Sequence, residues 1–242
     1  MERLDKLIAS RGTLSRRDAQ KKIKNGAVTV NGEICRQTDR KVSPEADRIT
    51  VDGQAVCTEE HLYIMLNKPA GVVSATEDRR EKTVLDLLPE ELRRPGLFPA
   101  GRLDKDTEGL LIITDDGDFA HRMLSPRKHV RKCYLAQLDG ELTLDMTEAF
   151  ARGIVFNDGT KCLPAKLEIL PGSGGMSGLV TICEGKFHQV KKMFSAVGRK
   201  VVHLKRISIG NLYLDSKLPI GCSRKLTKLE IKAIFLGNID EK

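Results

Sequence analysis

Apolar and polar residues follow a helical period near the start of the chain and a strand period over most of the rest. Leu4, Leu7 and Ile8 are spaced to share one face of a helix that Gly12 ends, and Ser15 is a typical N-cap for a second helix. Later apolar segments are short and bounded by Gly, Pro, Asn and Asp, as in strands joined by tight turns. The pattern predicts helices at residues 4–12, 15–25, 83–88, 118–124, 143–153, 188–197 and 228–234. It predicts strands at residues 27–30, 48–51, 62–66, 110–113, 130–138, 166–170, 179–183 and 201–209.

Strands outnumber helices in this pattern, and the turns between them are mostly of the hairpin type. The fold class is therefore predicted to be α+β with antiparallel strands. The polar segment Glu59-Glu60-His61 separates a short N-terminal region from the rest of the chain. We expect two domains, a small one at residues 1–58 and a larger one at residues 59–242.

The composition favours a protein that does not enter membranes. No apolar run approaches the length of a membrane span, and the N-terminus does not resemble a signal peptide. The six cysteines are scattered without a C-x-x-C pair, which favours reduced, mostly buried thiols. These features together predict a cytoplasmic protein.

The net charge of +8 becomes informative through its distribution along the chain. Residues 119–138 and residues 185–206 contain no acidic residue, although each stretch carries several lysines and arginines. Either stretch alone could be a solvated helix face. Two of them can form a continuous positive surface, which favours a partner rich in phosphates.

One acidic residue stands in an unusual setting. Asp104 lies between Gly101 and Gly109, and the apolar run of residues 110–113 follows directly. The two glycines allow a bent backbone around the acid at low steric cost. An acid in a bend beside a buried strand suits a catalytic group, but the spacing alone fits a polar loop between two strands equally well.

The residues around this acid, G-R-L-D-K-D-T-E-G-L-L, resemble the signature of the RNA pseudouridine synthases, in particular the RsuA-like branch that modifies ribosomal RNA. Three further motifs agree with that branch in order: L-N-K-P-A-G at residues 66–71, K-C-Y at residues 132–134 and E-G-K-F-H-Q-V-K-K-M at residues 184–193. Residues 3–32 resemble the S4 RNA-binding domain. The resemblance covers nearly the whole chain. It implies a small S4 domain followed by a catalytic domain built on a mixed, mainly antiparallel sheet with flanking helices.

The resemblance implies chemical roles for four residues. Asp104 falls on the essential aspartate of the family, and Lys191 falls on its basic partner, where a positive charge favours the ionised carboxylate. Tyr134 falls on the tyrosine that stacks on the target base. Arg102 is a candidate to fill the vacancy that a flipped base leaves. The alternatives are a phosphate contact for Lys191 and Arg102 and a place in the core for Tyr134.

The other candidate residues are expected to bind RNA. In the S4 domain the second helix lies on structured RNA, so its basic face would contact phosphates and read shape rather than sequence. His188 and Gln189 could hydrogen-bond the RNA or brace the loop that carries Asp104. The predicted RNA-binding residues are Arg3, Arg11, Ser15, Arg16, Arg17, Lys21, Lys22, Arg127, Lys128, Lys186, His188, Gln189 and Lys192.

The implied reaction is the isomerisation of uridine to pseudouridine, which needs no cofactor and no metal in principle. The H-Q-V-K-K-M-F segment most resembles the branch that acts on one uridine of small-subunit (16S) rRNA. The expected partner is therefore rRNA, in a small-subunit assembly intermediate, bound by a monomer. A large-subunit rRNA enzyme and a non-catalytic ribosome-assembly factor are alternatives. A metal-dependent nuclease is another, because Asp104, Asp106 and Glu108 alternate.

Overall fold

The computed structural model describes residues 1–11, 14–44, 46–56 and 61–236 of the 242-residue chain. This described part divides into two compact units. The N-terminal unit spans residues 1–62 and includes residues 93–97, and the C-terminal unit contains residues 63–92 and the chain from residue 98 onward. The predicted domain boundary between residues 58 and 59 lies outside the described residues.

The N-terminal unit combines two helices with short strands. These elements are β1 (Glu2–Arg3), α1 (Leu4–Arg11), α2 (Arg16–Lys24), β2 (Val28–Val30), β3 (Glu33–Ile34), β4 (Lys41–Val42), β5 (Ile49–Val51) and β6 (Gln54–Ala55). Strands β3, β2, β5 and β6 form a sheet in that order, and β1 pairs with β4. Leu4, Leu7, Ile8 and Ile23 pack with Val28 in one buried core. The apolar face predicted from the helical spacing is therefore the face that packs.

Local signals set the ends of these elements. The side-chain oxygen of Ser15 accepts a hydrogen bond from the backbone N of Asp18 at 3.2 Å, which confirms Ser15 as the N-cap of α2. Asn31 and Gly32 have φ values of 55° and 89°. Two consecutive residues with positive φ match the tight hairpin turn predicted between β2 and β3.

The C-terminal unit is built from longer strands with helices between them. Its elements are β7 (Tyr63–Lys68), β8 (Phe98–Ala100), β9 (Glu108–Thr114), α3 (Gly117–Leu124), β10 (Lys132–Leu138), α4 (Leu144–Arg152), β11 (Lys166–Ile169), β12 (Ser177–Ile182), α5 (Gln189–Ala196), β13 (Val201–Ile209), β14 (Leu212–Tyr213), β15 (Ser223–Lys225) and α6 (Lys228–Ala233). Two 3₁₀ turns lie at Glu90–Leu92 and Pro126–Lys128.

The strands of this unit form one sheet. Its main path runs β11-β12-β10-β13-β9-β7-β15, with β14 beside β13 and β8 beside β9. The β9–β13 pair is parallel, whereas the neighbouring pairs β10–β13 and β7–β9 are antiparallel. Met65, Leu110, Ile112, Phe119 and Ile209 belong to a buried cluster that joins the sheet to α3. The mixed, mainly antiparallel sheet implied by the sequence is confirmed.

The parallel contact between β9 and β13 depends on one glycine. Gly109 has a φ of +100°, and a Cβ atom at this position would lie 2.2 Å from the backbone oxygen of Arg206. Both the backbone angle and the close approach exclude a side chain. The parallel pairing of β9 with β13, directly after the loop that carries Asp104, therefore requires glycine at this position.

Most of the predicted helices and strands are present, with ends within two residues of the prediction. The helix predicted at residues 83–88 is wrong. Thr83 instead forms an isolated bridge with Val73, and its hydroxyl donates a hydrogen bond to Asp86 at 2.9 Å in a turn. Pro89 follows so closely that a helix would have too few turns to repay the cost of starting it. The prediction also missed the two- and three-residue strands β1, β3, β4, β6, β8, β14 and β15, which are too short to show a period.

No helix among the residues that the structure describes is long and apolar enough to cross a membrane. Cys35 and Cys162 are buried, Cys133 and Cys183 are half-buried and Cys222 is exposed, all as free thiols. The prediction of mostly buried thiols is therefore correct for two of these five, and the sixth cysteine lies outside the described residues.

Candidate active site

One buried lysine fixes the loop that carries Asp104. The side chain of Lys68, at the end of β7, is completely buried. Its Nζ donates hydrogen bonds of 2.9–3.2 Å to the backbone oxygens of Pro69, Asp104, Lys105 and Thr107. Burial lowers the pKa of Lys68 to about 8. Because one ammonium group binds three carbonyls of this loop, the backbone from Asp104 to Thr107 is held in one conformation.

A second set of contacts holds the same loop from the segment after β7. The Ser74 hydroxyl donates to the backbone oxygen of Leu103 at 2.9 Å and accepts from the backbone N of Leu103 at 3.1 Å. The backbone N of Gly71 donates to the backbone oxygen of Lys105 at 2.8 Å. The K-P-A-G motif and the residues after it therefore position the acid without reaching its carboxylate.

The Asp104 carboxylate has two close side-chain neighbours, an ammonium group and an imidazole ring. Its Oδ2 lies 3.0 Å from Nζ of Lys191, and its Oδ1 lies 3.5 Å from Nε2 of His188. The Asp104 side chain is 26% exposed. The acid is thus held on one side by α5 and remains accessible on the other.

Lys191 is shared between two acids. Its Nζ also lies 2.5 Å from Oδ1 of Asp106. Burial alone would lower the pKa of Lys191, but hydrogen bonds to Asp106 and Asp104 outweigh it and raise this pKa above its usual value. The same lysine lowers the pKa of Asp106. Lys191 therefore keeps its positive charge beside Asp104 at neutral and moderately alkaline pH.

Tyr134 is held by an arginine on the adjacent strand. Tyr134 and Arg206 are register partners at an irregular point of the β10–β13 pair. The guanidinium carbon of Arg206 lies 5.9 Å from the centroid of the tyrosine ring, its Nη1 donates to the tyrosine hydroxyl at 3.4 Å, and its Nε donates to the backbone oxygen of Leu110 at 2.8 Å. Arg206 is 3% exposed. This buried arginine restricts the orientation of the Tyr134 ring.

Glu184 organises the loop between β12 and α5. One carboxylate oxygen accepts hydrogen bonds from the backbone N of Leu163 and from Nε2 of Gln189, at 2.9 and 2.8 Å, and the other pairs with the ammonium group of Lys186. Burial acts to raise the pKa of Glu184, but the hydrogen bond from Lys186 and the other donors outweigh it, so the pKa is lowered. Gln189 is buried in this network. It therefore braces its own loop rather than the loop of Asp104.

Residues from distant parts of the chain line one pocket that opens to solvent. Leu103, Ile182, Val190 and Leu204 contribute apolar surface to it. The structure thus brings together all four predicted catalytic residues and three of the predicted RNA-binding residues. The predicted residues that line the pocket are Arg102, Asp104, Tyr134, Lys186, His188, Gln189 and Lys191.

The remaining predicted residues of the C-terminal unit lie outside this pocket. Arg127 and Lys128 are exposed on the 3₁₀ turn after α3. Lys192 follows Lys191 on α5, and its Nζ lies 5.4 Å from the ring centroids of both Phe156 and Phe187. Contact of these side chains with RNA stays a prediction.

The seven predicted RNA-binding residues of the N-terminal unit differ in how far their side chains are already engaged. Arg3 and Arg16 form ion pairs with the buried Asp5, at 3.0 and 3.2 Å, so part of their charge serves the fold. Arg17 and Lys21 are exposed on α2. Three predicted residues remain, of which Ser15 caps α2, Lys22 pairs with Asp52 at 2.8 Å and the Arg11 side chain lies outside the described residues.

Sequence reasoning missed two buried cations of this site. Lys68 follows the apolar run of residues 62–66 after a single polar residue, and a lysine that continues such a buried strand must find several acceptors. Arg206 lies between Leu204 and Ser208 in β13, and all three alternate residues are buried. The period of two placed Arg206 on the buried face of the strand, and that signal could have identified it.

The three alternating carboxylates of the loop do not meet at one point. Asp104 and Asp106 both pair with Lys191, whereas Glu108 lies 3.0 Å from Nε2 of His203. Within the described ranges no group of three or more His, Cys, Asp or Glu side chains could hold a metal ion. Of the three carboxylates only that of Asp104 lines the pocket, where it lies beside the ammonium group of Lys191 and shares the lining with the phenol ring of Tyr134. Such a carboxylate can act as a nucleophile, as a base or as an electrostatic stabiliser.

The chain is similar to known proteins over nearly its whole length. Residues 62–196 match the family model described as RNA pseudouridylate synthase, and residues 2–49 match that of the S4 domain. The chain is 46% identical over 230 residues to an RNA pseudouridine synthase of Bacillus subtilis (strain 168) that is described as uncharacterized, covering 95% of this chain and 96% of that protein. It is 43% identical over 234 residues to the ribosomal small subunit pseudouridine synthase A of Escherichia coli (strain K12), covering 96% of this chain and 99% of that protein.

A solved structure is similar over the full length. The crystal structure of a pseudouridylate synthase superposes with a TM-score of 0.67 at 40% sequence identity, covering 97% of this chain and 100% of that one. Both the N-terminal and the C-terminal regions are therefore shared with that protein.

Proposed function

The chain belongs to the RNA pseudouridylate synthase family, and on this premise we propose that it converts one uridine of small-subunit (16S) rRNA to pseudouridine, with Asp104 as the essential group. The observation that supports this proposal most directly is the position of Asp104. Its carboxylate is accessible in a pocket, lies 3.0 Å from Nζ of Lys191 and shares that pocket with Tyr134.

The reaction is an isomerisation whose atoms balance without a second substrate. The bond between N1 of uracil and C1′ of ribose breaks, a bond between C5 and C1′ forms, C5 loses a proton and N1 gains one. Charge develops at C1′ or on the detached uracil during these steps. Asp104 meets that charge as nucleophile, base or stabiliser, and the ammonium group of Lys191, 3.0 Å from Oδ2, orients the carboxylate.

The other pocket residues handle the base. A uridine inside folded RNA is not accessible, so it must leave the stack to enter the pocket. The proposal assigns Tyr134 to stack on the uracil, with Arg206 fixing the ring. It assigns Arg102, which is exposed beside the acid, to occupy the space that the uridine vacates.

The choice of small-subunit rRNA has two supports. One is the H-Q-V-K-K-M-F segment at residues 188–194. The other is the 43% identity, over nearly the full length, to the Escherichia coli protein named for the ribosomal small subunit. The same proposal includes an assembly intermediate as substrate, action as a monomer and a cytoplasmic location. The exposed basic side chains of Arg17, Lys21, Arg127 and Lys128 suit phosphate contacts on such a particle.

The test is release of tritium from small-subunit rRNA labelled at uridine C5 and presented with early assembly proteins, in EDTA. Wild-type protein and Asp104→Asn are measured side by side. Release by the wild type alone supports the proposal. Equal release by both proteins contradicts the role of Asp104, and arrest by EDTA contradicts a metal-free reaction.

The same assay separates the alternatives. Release from large-subunit rRNA only would replace the proposed substrate by that of a large-subunit enzyme. Tight RNA binding without release from either rRNA would overturn the enzymatic proposal in favour of a non-catalytic assembly factor.

A further inference from the structure

An exposed aromatic ring stands beside the pocket without a place in the core. Phe187 lies in the loop before α5, and its side chain is 71% exposed. Its ring stacks on the imidazole of His188, with centroids 3.8 Å apart and an angle of 22° between the planes. An exposed phenylalanine ring gains none of the free energy that burial would provide. It can gain that free energy by stacking against a flat apolar surface of a partner.

The backbone places this aromatic pair at the edge of the pocket at a cost. His188 has φ 52° and ψ 33°, a left-handed conformation that is uncommon for a residue other than glycine. The imidazole lines the pocket, and its Nε2 lies 3.5 Å from Oδ1 of Asp104. His188 therefore lies between the two groups, with its imidazole close to the Asp104 carboxylate and stacked against the Phe187 ring.

A positive charge accompanies the exposed ring. Nζ of Lys192 lies 5.4 Å from the centroid of the Phe187 ring. The same ammonium group lies 5.4 Å from the Phe156 ring, so a phosphate oxygen that binds Lys192 would compete with two cation–π contacts. A flat ring next to a cation is the combination with which proteins bind single-stranded nucleic acid, because bases stack on the ring and the cation neutralises the backbone.

We propose that Phe187, stacked on His188, is the platform for an unpaired base adjacent to the target uridine, and that Lys192 binds the phosphate of the same nucleotide. This inference rests on the proposed function, since it assumes that the target uridine occupies the pocket beside His188. When that uridine leaves the helix, the neighbouring base loses a stacking partner, and Phe187 replaces it. Phe187 is a positioning residue in this scheme, because it does not touch the reacting atoms.

The chain contains no tryptophan, which permits a direct test. Phe187→Trp introduces a single fluorescent indole at the platform. Tyr213→Trp, at another exposed aromatic position on β14, provides the matched control. The probes are the trinucleotide adenosine-uridine-adenosine and the same RNA with an abasic ribose at either or both flanking positions. If Phe187 stacks on a flanking base, the intact trinucleotide should quench the fluorescence of Phe187→Trp, and loss of one particular flanking adenine should abolish that quenching. The fluorescence of Tyr213→Trp should be the same with and without the flanking adenines.

Steady-state kinetics of tritium release provide the second measurement. Phe187→Leu keeps an apolar side chain but removes the ring, and it is expected to raise KM about tenfold with a smaller effect on kcat. Quenching of the Phe187→Trp variant that is equal with and without both flanking adenines would overturn the platform, as would unchanged kinetics of Phe187→Leu. These results would leave tritium release by the wild type intact, whereas absence of that release would overturn the proposed function itself.

Discussion

Two aspartates, one in each unit, show how differently the same side chain can be held. Asp5 in the N-terminal unit is completely buried, and its carboxylate accepts hydrogen bonds from Arg3, Arg16 and Gln20. Asp104 in the C-terminal unit is 26% exposed and has only Lys191 and His188 within 3.5 Å among the described residues.

The difference separates an acid that serves the fold from one that is available for chemistry. The hydrogen bond from Arg3, reinforced by Gln20 and Arg16, holds the pKa of Asp5 far below its usual range. With its oxygens saturated, Asp5 has no capacity left for a substrate. The loop of Asp104 is held through its backbone, by Lys68 at Asp104 and by Ser74 at Leu103, so the carboxylate itself stays open to the pocket. Substitutions at the two acids and at the cations beside Asp104 test whether the two roles are distinct.

The largest effect is expected for Asp104→Asn. We expect tritium release to fall by at least about a thousandfold, because the amide cannot act as nucleophile or base. We expect the melting temperature to change by no more than about 2 °C, since the side chain is partly exposed. Calorimetry beside the release assay checks both expectations. A large loss of thermal stability would contradict the contrast with Asp5.

The next effect concerns the cation beside the acid. Lys191→Met is expected to lower kcat for release about a hundredfold, because the carboxylate loses the charge that orients it. Lys191→Arg keeps the charge and should lose much less. Lys105→Met is the matched control. Lys105 follows Asp104 in its loop, but its ammonium group pairs with Glu81 on the surface. Equal losses in the methionine variants at residues 105 and 191 would contradict a specific role for Lys191.

The buried lysine beneath the loop should have a smaller effect on the reaction. Lys68→Met removes the donor to three loop carbonyls, so we expect kcat to fall about tenfold to a hundredfold through misplacement of Asp104. The pH dependence of the free energy of unfolding tests the burial of Lys68 separately. In the folded protein Lys68 loses its proton near pH 8, whereas in the unfolded chain it keeps the proton to about pH 10.5. The unfolded state thus binds more protons between these values, and the wild type should gain stability relative to Lys68→Met as pH rises from 8 to 10.5.

Asp5→Asn should leave the reaction almost intact and weaken the N-terminal unit. We expect a loss of about 1–3 kcal/mol in the free energy of unfolding, because Arg3 and Arg16 lose an ionised acceptor. The pKa of Asp5 is lower in the folded protein than in the unfolded chain, where its usual value is 3.8. The ionised carboxylate therefore stabilises the fold fully above that pH, and this stabilisation is lost as the pH falls below it. The advantage of the wild type in denaturant titrations should therefore shrink below about pH 4. Asp52→Asn, at an exposed pair with Lys22, is the control and should change little at either pH.

Much of the fold was predictable because its signals are local. Ser15 caps α2 through a hydrogen bond to a residue three positions away, and Asn31-Gly32 forms its turn within four residues. The segment at residues 83–88 shows the limit of such signals. Its cap-like hydrogen bond between Thr83 and Asp86 is present, but the contact with Val73 and the nearby Pro89 leave a turn instead of a helix.

The candidate site was predictable in its residue types and not in their connections. The motifs identified Asp104, Tyr134 and Lys191, and the pocket contains all three. The partners that hold them were missed, because Arg206 lies 72 residues from Tyr134 and Lys68 lies 36 residues from Asp104. No local period encodes a contact across such separations.

The class of fold, the family and the candidate acid could be predicted from the sequence, because turn chemistry, apolar period and motif order are encoded in neighbouring residues. Which charged groups are saturated and which remain open could be seen only in three dimensions. That property depends on how many donors reach each carboxylate in three dimensions and on how far water is excluded. Asp5 and Asp104 are the same residue type beside basic residues in the sequence, and their different burial and number of donors separate a structural anion from an accessible one.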